Sequence, residues 1–192
     1  RESKKIKLMT AMSIVLDRSG SMSCSVPGGK TKMDLANAGT CQTISLLSDQ
    51  DLISVYAVDS EPHPIVTLSS LGPNRKKMIS SVSRTPSLGA GIFIGAGLKA
   101  GWQELQRSVA GTRHLLLFAD ADDSEEPADY RETLKEMVKE GATVSVIALG
   151  TEKSADAGLL REIAELGRGR IFFCDRPGDI PSIFAQETVS VA

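Results

Sequence analysis

Hydrophobic segments alternate with amphipathic ones along this chain, and the alternation predicts its secondary structure. Six short segments are dense in Val, Ile, Leu and other strand-forming residues; they cover residues 9–16, 52–58, 65–68, 113–119, 143–149 and 171–174. The segments between them repeat their apolar residues at helical spacing; they cover residues 31–47, 73–82, 94–109, 127–140, 155–166 and 179–187. Asp179 is the predicted N-cap of the last helix.

Strands that alternate with helices predict an α/β fold: a Rossmann-like, open and mostly parallel sheet of six strands, with helices on both faces. The unbroken apolar run at residues 113–119 favours a central strand that is covered on both sides. Only a short turn separates the second strand from the third, so the third must be antiparallel to it. Pro64 fits an edge strand, and the common strand order 3-2-1-4-5-6 places the third strand at the edge.

The composition fits one folded domain and argues against some classes of function. The chain has 192 residues, of which 41% are hydrophobic and 24% charged, and residues 1–192 are interpreted as a single domain. Because the sequence begins with Arg1, we expect it to be a piece of a longer protein. The formal net charge of −2 argues against nucleic-acid binding. Cys24, Cys41 and Cys174 have no metal-ligand spacing and are expected to be incidental thiols.

The first predicted strand leads into a loop that is rich in oxygen ligands. Asp17, Ser19 and Ser21 occupy alternate positions of this loop and provide one carboxylate and two hydroxyls. Oxygen donors of this kind suit Mg²⁺, Mn²⁺ or Ca²⁺ and disfavour Zn²⁺ or copper. The alternative is an ordinary turn in which these side chains cap the backbone.

A second carboxylate makes a metal site the stronger interpretation. Asp120 ends the fourth predicted strand, far from Asp17 along the chain. In an open parallel sheet, ligands bind outside the carboxyl ends of the strands, at the point where the strand order reverses. The first and fourth strands are neighbours at that point. The sequence therefore predicts a divalent-cation site formed by Asp17, Ser19, Ser21 and Asp120.

The Asp-x-Ser-x-Ser spacing after a first strand, with Asp120 after the fourth, resembles the metal-ion-dependent adhesion site (MIDAS) of von Willebrand factor A domains. The resemblance implies that Ser19 and Ser21 coordinate the ion directly, and that Asp17 and Asp120 do so directly or through water. It also implies an interaction module and not an enzyme. Neutral hydroxyl ligands leave the ion under-neutralised, so a carboxylate from a partner can fill an open position.

Within this superfamily, the chain resembles bacterial forms that belong to larger membrane-anchored proteins. That similarity is carried by residues 91–95, 113–116 and 124–127. It implies a parent protein anchored in a bacterial membrane. This domain itself is not expected to insert, because no apolar run approaches the roughly 18 residues of a membrane span. The candidate partners are a MoxR-type AAA+ ATPase or another, acidic part of the same polypeptide.

One position departs from the family pattern. The loop before the third main helix usually supplies a Thr ligand, whereas Ile92 stands there and cannot coordinate a metal. Thr85 and Ser87 are the candidate replacements. The departure predicts a weak site, a site completed by an additional water, or no metal at all. In the last case the chain would be a structural domain with a relic site.

A Mg²⁺-dependent hydrolase or phosphatase that uses Asp17 is a further alternative. Such an enzyme commonly needs a second acid near the first and a Lys to steady the phosphoryl group. Ser19 stands at the position where the second acid is expected, and Lys30 and Lys32 are the nearest lysines. A nucleotide-binding loop at residues 29–31 is rejected, since the motif requires a Gly upstream where the chain has another residue.

Three further features have structural interpretations. An acidic run is expected to favour a helix N-terminus, with a second cation site or a partner-facing rim as the alternative; it comprises Asp122, Asp123, Glu125 and Glu126. The glycines between residues 89 and 101 predict a closely approaching loop and a tightly packed helix. His63 and His114 are expected to be structural, because the sequence suggests no Ser-His-Asp or Cys-His arrangement.

Overall fold

The computed structural model describes residues 9–89, 91–121 and 129–192, and its centre is a six-stranded sheet in the order β3-β2-β1-β4-β5-β6. The strands are β1 (Thr10–Asp17), β2 (Leu52–Val58), β3 (Pro62–Ser70), β4 (Thr112–Asp120), β5 (Thr143–Leu149) and β6 (Arg168–Cys174). All neighbouring strands are parallel except β2 and β3, which form an antiparallel hairpin at one edge. The predicted fold class and strand order are confirmed.

Six α-helices connect and cover the strands in the described part of the chain. They are α1 (Lys32–Leu46), α2 (Arg75–Ser83), α3 (Ile94–Gln106), α4 (Tyr130–Lys139), α5 (Ala157–Leu166) and α6 (Ile180–Val191). α2 begins later than predicted because a 3-10 turn, Gly72–Asn74, precedes it. α3 ends before the predicted limit, at a turn in which the Ser108 hydroxyl accepts the Ala110 N–H. Asp179 is at the N-cap position of α6, but its side chain makes no capping hydrogen bond.

The helices form one layer on each face of the sheet, and two hydrophobic cores result. α3, α4 and α5 enclose one core, whereas α1, α2 and α6 enclose the other. Successive side chains of a strand point to opposite faces, so Val15 and Leu117 belong to the first core while Leu16 and Phe118 belong to the second. Every residue of β1 is buried. β4 is central as predicted, and β1 shares that position.

Glycines on α3 allow this helix to lie very close to the sheet. A Cβ on Gly97 would lie 2.8 Å from Cγ1 of Val15, and one on Gly101 would lie 2.5 Å from Cδ1 of Leu115. Real Cβ atoms do not approach other atoms so closely, and only Gly fits such positions without a shift of the neighbour. The tight packing predicted from the glycine-rich segment is present.

The strand order places the carboxyl ends of β1 and β4 side by side. Leu16 pairs with Phe118 in the parallel register. The residues that follow, Asp17 and the segment that ends at Asp120, therefore emerge together at the carboxyl-terminal end of the sheet. The strand order reverses between these two strands, and ligands of such sheets bind at this end, in the crevice at the switch point. No helix in residues 9–89, 91–121 and 129–192 is long and apolar enough to cross a bilayer.

Candidate metal centre

Asp17 joins the two segments that form the candidate centre. It is the last residue of β1 and is fully buried. Its Oδ1 accepts the Ser19 N–H at 2.7 Å, and its Oδ2 accepts the Asp120 N–H at 3.0 Å. One carboxylate therefore organises its own loop and also connects that loop to the end of β4.

The other three predicted residues lie at the same end of the sheet and contact one another. Ser19 Oγ lies 3.3 Å from Ser21 Oγ, and the Ser21 hydroxyl donates to Asp120 Oδ2 at 3.2 Å. A 3-10 turn, Gly20–Ser23, holds the two serines in place. Its Met22 N–H donates to the Ser19 carbonyl at 2.9 Å, and the Met22 side chain is anchored in the core. The structure thus brings Asp17, Ser19, Ser21 and Asp120 together, while ligation of a metal by them stays a prediction.

Burial at the candidate centre disfavours the charged form of Asp17. Burial raises the pKa of Asp17 to about 6, against an ordinary value of 3.8, and the neighbouring charge of Asp120 adds to this rise. Hydrogen bonds from Ser19 and from the Asp120 backbone oppose the rise but do not cancel it. Desolvation disfavours the charged form of an acid, and a nearby cation favours it. A divalent ion beside Asp17 would therefore stabilise the carboxylate.

Lys32 is a part of the centre that the sequence did not reveal. It is the first residue of α1, and its Nζ lies 3.4 Å from Asp120 Oδ2. In the sequence, Lys32 is only a nearby lysine without an assigned place. One signal was available: a cation in the first turn of a helix opposes the helix dipole and usually needs a compensating anion.

A third loop, between α2 and α3, lies against the Asp17–Ser21 segment. The Leu88 N–H donates to the Arg18 carbonyl at 2.9 Å. A Cβ on Gly20 would lie only 3.2 Å from the Gly89 carbonyl oxygen. This close approach explains why a Gly suits the middle of the Ser-x-Ser sequence.

In its described residues, the loop between α2 and α3 shows no hydroxyl in contact with the candidate centre that could replace the Thr ligand of the family. Ile92 is fully buried and belongs to the first hydrophobic core. Thr85 is mostly buried, and its hydroxyl donates to the Ser81 carbonyl at 3.3 Å. Ser87 is partly exposed and directly precedes Leu88, which contacts the Arg18 backbone. Of the two candidates, Ser87 is therefore the one next to a residue that contacts the Asp17–Ser21 segment.

Asp59 fixes the outer side of the centre by joining β1 to the end of β2. It accepts hydrogen bonds from Arg18 Nε at 2.9 Å and from His63 Nε2 at 2.9 Å, together with the Glu61 N–H at 3.0 Å. Burial acts to raise the pKa of Asp59, but these donors outweigh it and hold the pKa at about 2. His63 therefore has a structural partner, as expected. His114 also has a structural partner, because its Nε2 lies 3.2 Å from Glu187 Oε1 at the opposite end of the sheet.

The loop rejected as a nucleotide site has a structural explanation of its own. The Thr31 hydroxyl accepts the Asp34 N–H at 3.0 Å, and the Asp34 carboxylate accepts the Thr31 N–H at 2.9 Å. This reciprocal pair is a capping box at the start of α1. The acidic run that comprises Asp122, Asp123, Glu125 and Glu126 lies outside the described residues.

The donor set fits a hard cation. All four side chains offer oxygen, which Mg²⁺, Mn²⁺ and Ca²⁺ prefer. Within the described ranges, no three His, Cys, Asp or Glu side chains form a group that could hold a metal. A site here must therefore rely on the serine hydroxyls beside the two carboxylates. The three cysteines are free thiols and lie outside this constellation.

Comparison with known families agrees with the fold and the loop sequence. The family model of the von Willebrand factor type A domain matches residues 12–186. The chain therefore belongs to the von Willebrand factor type A domain family, as the resemblance predicted. No curated protein matches the sequence significantly.

Solved structures share the fold at low sequence identity. A von Willebrand factor type A protein from Catenulispora acidiphila superposes with a TM-score of 0.82 at 23% identity, over 94% of this chain and 42% of that one. The conserved hypothetical protein BatB from Bacteroides thetaiotaomicron has a TM-score of 0.73 at 18% identity, over 95% and 98% of the two chains. Proximal thread matrix protein 1 from the mussel byssus, solved with a zinc-occupied MIDAS motif, has a TM-score of 0.77 at 15% identity, over 94% and 45%.

These similarities establish the fold. The chain spans less than half of the Catenulispora acidiphila protein, at 42% of its length. Identities of 15% to 23% are too low to transfer a ligand or a partner. What this chain binds must be argued from its own site.

Proposed function

We propose that this chain is a protein-interaction module that binds a divalent cation, Mg²⁺ or alternatively Mn²⁺ or Ca²⁺, and through it an acidic group of a partner. The observation that supports this proposal is the convergence of two carboxylates and two hydroxyls from distant segments. Ser21 and Asp120 are 99 residues apart in sequence and share a hydrogen bond at the carboxyl-terminal end of the sheet, where ligands bind in such sheets.

The four side chains would divide the work unequally. Both oxygens of Asp17 accept backbone N–H groups, so this residue mainly orients Ser19 and supplies negative charge. Ser21 is partly exposed, and its hydroxyl faces Asp120. We therefore infer that Ser19, Ser21 and Asp120 would hold the ion. A bound divalent ion supplies positive charge and an open coordination position for a partner's carboxylate.

Family membership suggests where such a partner is found. An acidic segment of a MoxR-type AAA+ ATPase, or of the same polypeptide, has the required chemistry. Similarity to an aerotolerance-related membrane protein from Bacteroides fragilis NCTC 9343 supports a membrane-anchored bacterial parent; that structure has a TM-score of 0.69 at 18% identity, over 95% of this chain and 99% of that one. The net charge of −2 argues against nucleic acid as the partner.

The second candidate is a structural domain with a relic site. Two observations favour it: Ile92 is packed in the core where the family has a ligand, and Lys32 already faces Asp120. The hydrolase alternative is not proposed. A general base would have to stand beside a nucleophile, and in the described residues His63 is paired with Asp59 while His114 is paired with Glu187.

Isothermal titration with Mg²⁺, Mn²⁺ and Ca²⁺ separates the two candidates. We expect the wild-type protein to bind at least one ion and Ser21→Ala to weaken that binding at least about tenfold, because one direct ligand is lost. Ser23→Ala is the matched control, since its hydroxyl donates to the Gly20 carbonyl in the same turn and not to the centre. Its affinity should equal that of the wild type.

Asp17→Ala is a poorer test than Ser21→Ala. It would leave the Ser19 and Asp120 N–H groups without their acceptors, at a cost of about 1–3 kcal/mol for each buried group. Loss of binding could then reflect unfolding. Absence of binding to all three ions by the wild-type protein at about 10 mM would contradict the proposal and favour the relic.

A further inference from the structure

A positive charge of the protein itself already faces the candidate centre. Lys32 Nζ lies 3.4 Å from Asp120 Oδ2, and the two side chains are 25% and 8% exposed. The backbone of Lys32 is fixed, because its N–H donates to the Cys24 carbonyl at 3.0 Å. The ammonium therefore stands at the rim of the centre, on a helix that cannot easily move away.

The position of this lysine is unusual for a helix. Lys32 is the first residue of α1, where the helix dipole disfavours a cation by about 0.3–1 kcal/mol. The capping box formed by Thr31 and Asp34 already satisfies the helix end, so the helix itself gains nothing from an ammonium there. Among the described residues, the carboxylate of Asp120 lies within ion-pair distance of this ammonium and compensates for its charge.

The ammonium and the candidate centre share one oxygen. Asp120 Oδ2 accepts the Ser21 hydroxyl at 3.2 Å and lies within ion-pair distance of Lys32. A cation held by Ser21 and Asp120 would meet Lys32 at this atom, and two positive charges at one carboxylate oxygen repel each other.

We propose that Lys32 is a tethered counter-ion that competes with the divalent cation for Asp120 and thereby sets the affinity of the centre. This inference depends on the proposed function, because it concerns the same site. Lys32 neutralises Asp120 while no divalent ion is bound, and it must leave Asp120 when one binds. It is thus a determinant of affinity and not a ligand.

The test compares the Mg²⁺ affinity of Lys32→Met with that of the wild-type protein by isothermal titration. Met keeps the apolar stem of the side chain and removes its charge. We expect Lys32→Met to bind Mg²⁺ about two- to fivefold more tightly, the range for loss of one partly exposed ion pair. Lys30→Met is the matched control: it removes the same charge from an exposed position two residues away and should change the affinity less than about twofold.

A second measurement follows Lys32 directly. Acetylation of lysines by an amine-reactive reagent, quantified by mass spectrometry, should label Lys32 several-fold faster in saturating Mg²⁺ than in Na⁺ of equal ionic strength. The exposed Lys99 on α3 serves as the reference and should react equally in both solutions. An unchanged Lys32 rate in a protein that binds Mg²⁺ would overturn the inference.

The outcomes distinguish this inference from the proposed function. Mg²⁺ binding by the wild-type protein, together with tighter binding by Lys32→Met and unchanged binding by Lys30→Met, supports both the proposed function and the counter-ion role. Equal or weaker binding by Lys32→Met overturns the counter-ion role and leaves the metal site intact. Absence of Mg²⁺ binding by both proteins overturns the proposed Mg²⁺ site, and the counter-ion role falls with it.

Discussion

Asp17 combines full burial with hydrogen bonds to two backbone N–H groups, and this combination determines how the centre responds to pH. Its pKa is about 6, because burial disfavours the charged form. The acid therefore takes up a proton as the pH falls through 6, well before an exposed Asp would. Proton uptake on folding stabilises the metal-free protein as the pH falls from about 6 to about 4, and this stabilisation is lost as the pH rises through 6.

Cation affinity should have the opposite dependence. At pH 5, about one-tenth of Asp17 is ionised if its pKa is about 6. We expect the apparent Mg²⁺ affinity to fall about tenfold between pH 7.5 and pH 5, as measured by titration calorimetry in non-chelating buffers. Equal affinities at the two pH values would show that the charge of Asp17 does not contribute to ion binding.

The sequence predicts some residues of the centre and not others, for a physical reason. Asp17, Ser19 and Ser21 follow one strand, and the place of Asp120 follows from the strand order; spacing and topology suffice for both. Lys32 contacts Asp120 across 88 residues, through a side chain whose direction depends on how α1 enters the fold. The sequence signals only that a cation in the first turn of a helix needs an anion, and it does not indicate which anion that is.

The packing of α3 shows the same principle for a whole helix. Ala is a better helix former than Gly by up to about 1 kcal/mol, so propensity alone predicts that Gly101→Ala stabilises the protein. A Cβ at this position would lie 2.5 Å from Leu115 Cδ1 and 3.1 Å from Val15 Cγ2. Overpacking of a core costs about 1–3 kcal/mol. We therefore expect Gly101→Ala to lower the free energy of unfolding by about 1–2 kcal/mol, as measured by urea denaturation.

Gly158→Ala provides the matched control for α3. Gly158 is in α5, is exposed, and a Cβ there would have no atom within 4 Å. The substitution should stabilise the protein by a few tenths of a kcal/mol, because only helix propensity changes. If Gly101→Ala stabilises the protein as Gly158→Ala does, the close approach of α3 to the sheet does not restrict position 101 to Gly.

Element limits were predicted well where the pattern is strong and less well where tertiary contacts decide. The bounds of β2 and β5 agree with the prediction, since both segments are dense in strand-forming residues. β3 is longer than the predicted residues 65–68, because it pairs with β2 from Pro62 to Ser70. β6 likewise begins at Arg168, three residues before its apolar run, because β5 provides a partner there.

At the scale of the whole molecule, α6 closes the fold through an ionic cluster around the buried Glu187, at the end of the sheet opposite the candidate centre. Glu187 of α6 is 1% exposed and accepts the Ser145 hydroxyl at 2.6 Å and Arg170 Nη2 at 2.6 Å. His114 Nε2 lies 3.2 Å from its Oε1. Burial opposes ionisation of Glu187, but His114, Ser145 and Arg170 outweigh it and lower its pKa below the ordinary value. One helix is thus joined to β4, β5 and β6.

Loss of Glu187 should weaken the fold without changing the ion affinity of the centre. Removing one partner of a fully buried ion pair costs about 3–5 kcal/mol. Because the Arg170 side chain is 48% exposed, we expect Glu187→Ala to lower the free energy of unfolding by a smaller amount, about 2 kcal/mol, at pH 7. The loss should shrink as the pH falls below about 4.5, because the stabilisation by the ionised carboxylate disappears there. Glu165→Ala, at an exposed position of α5, should change stability by less than about 0.5 kcal/mol. Folded Glu187→Ala should bind Mg²⁺ with wild-type affinity. A changed affinity would reveal coupling between the two ends of the sheet.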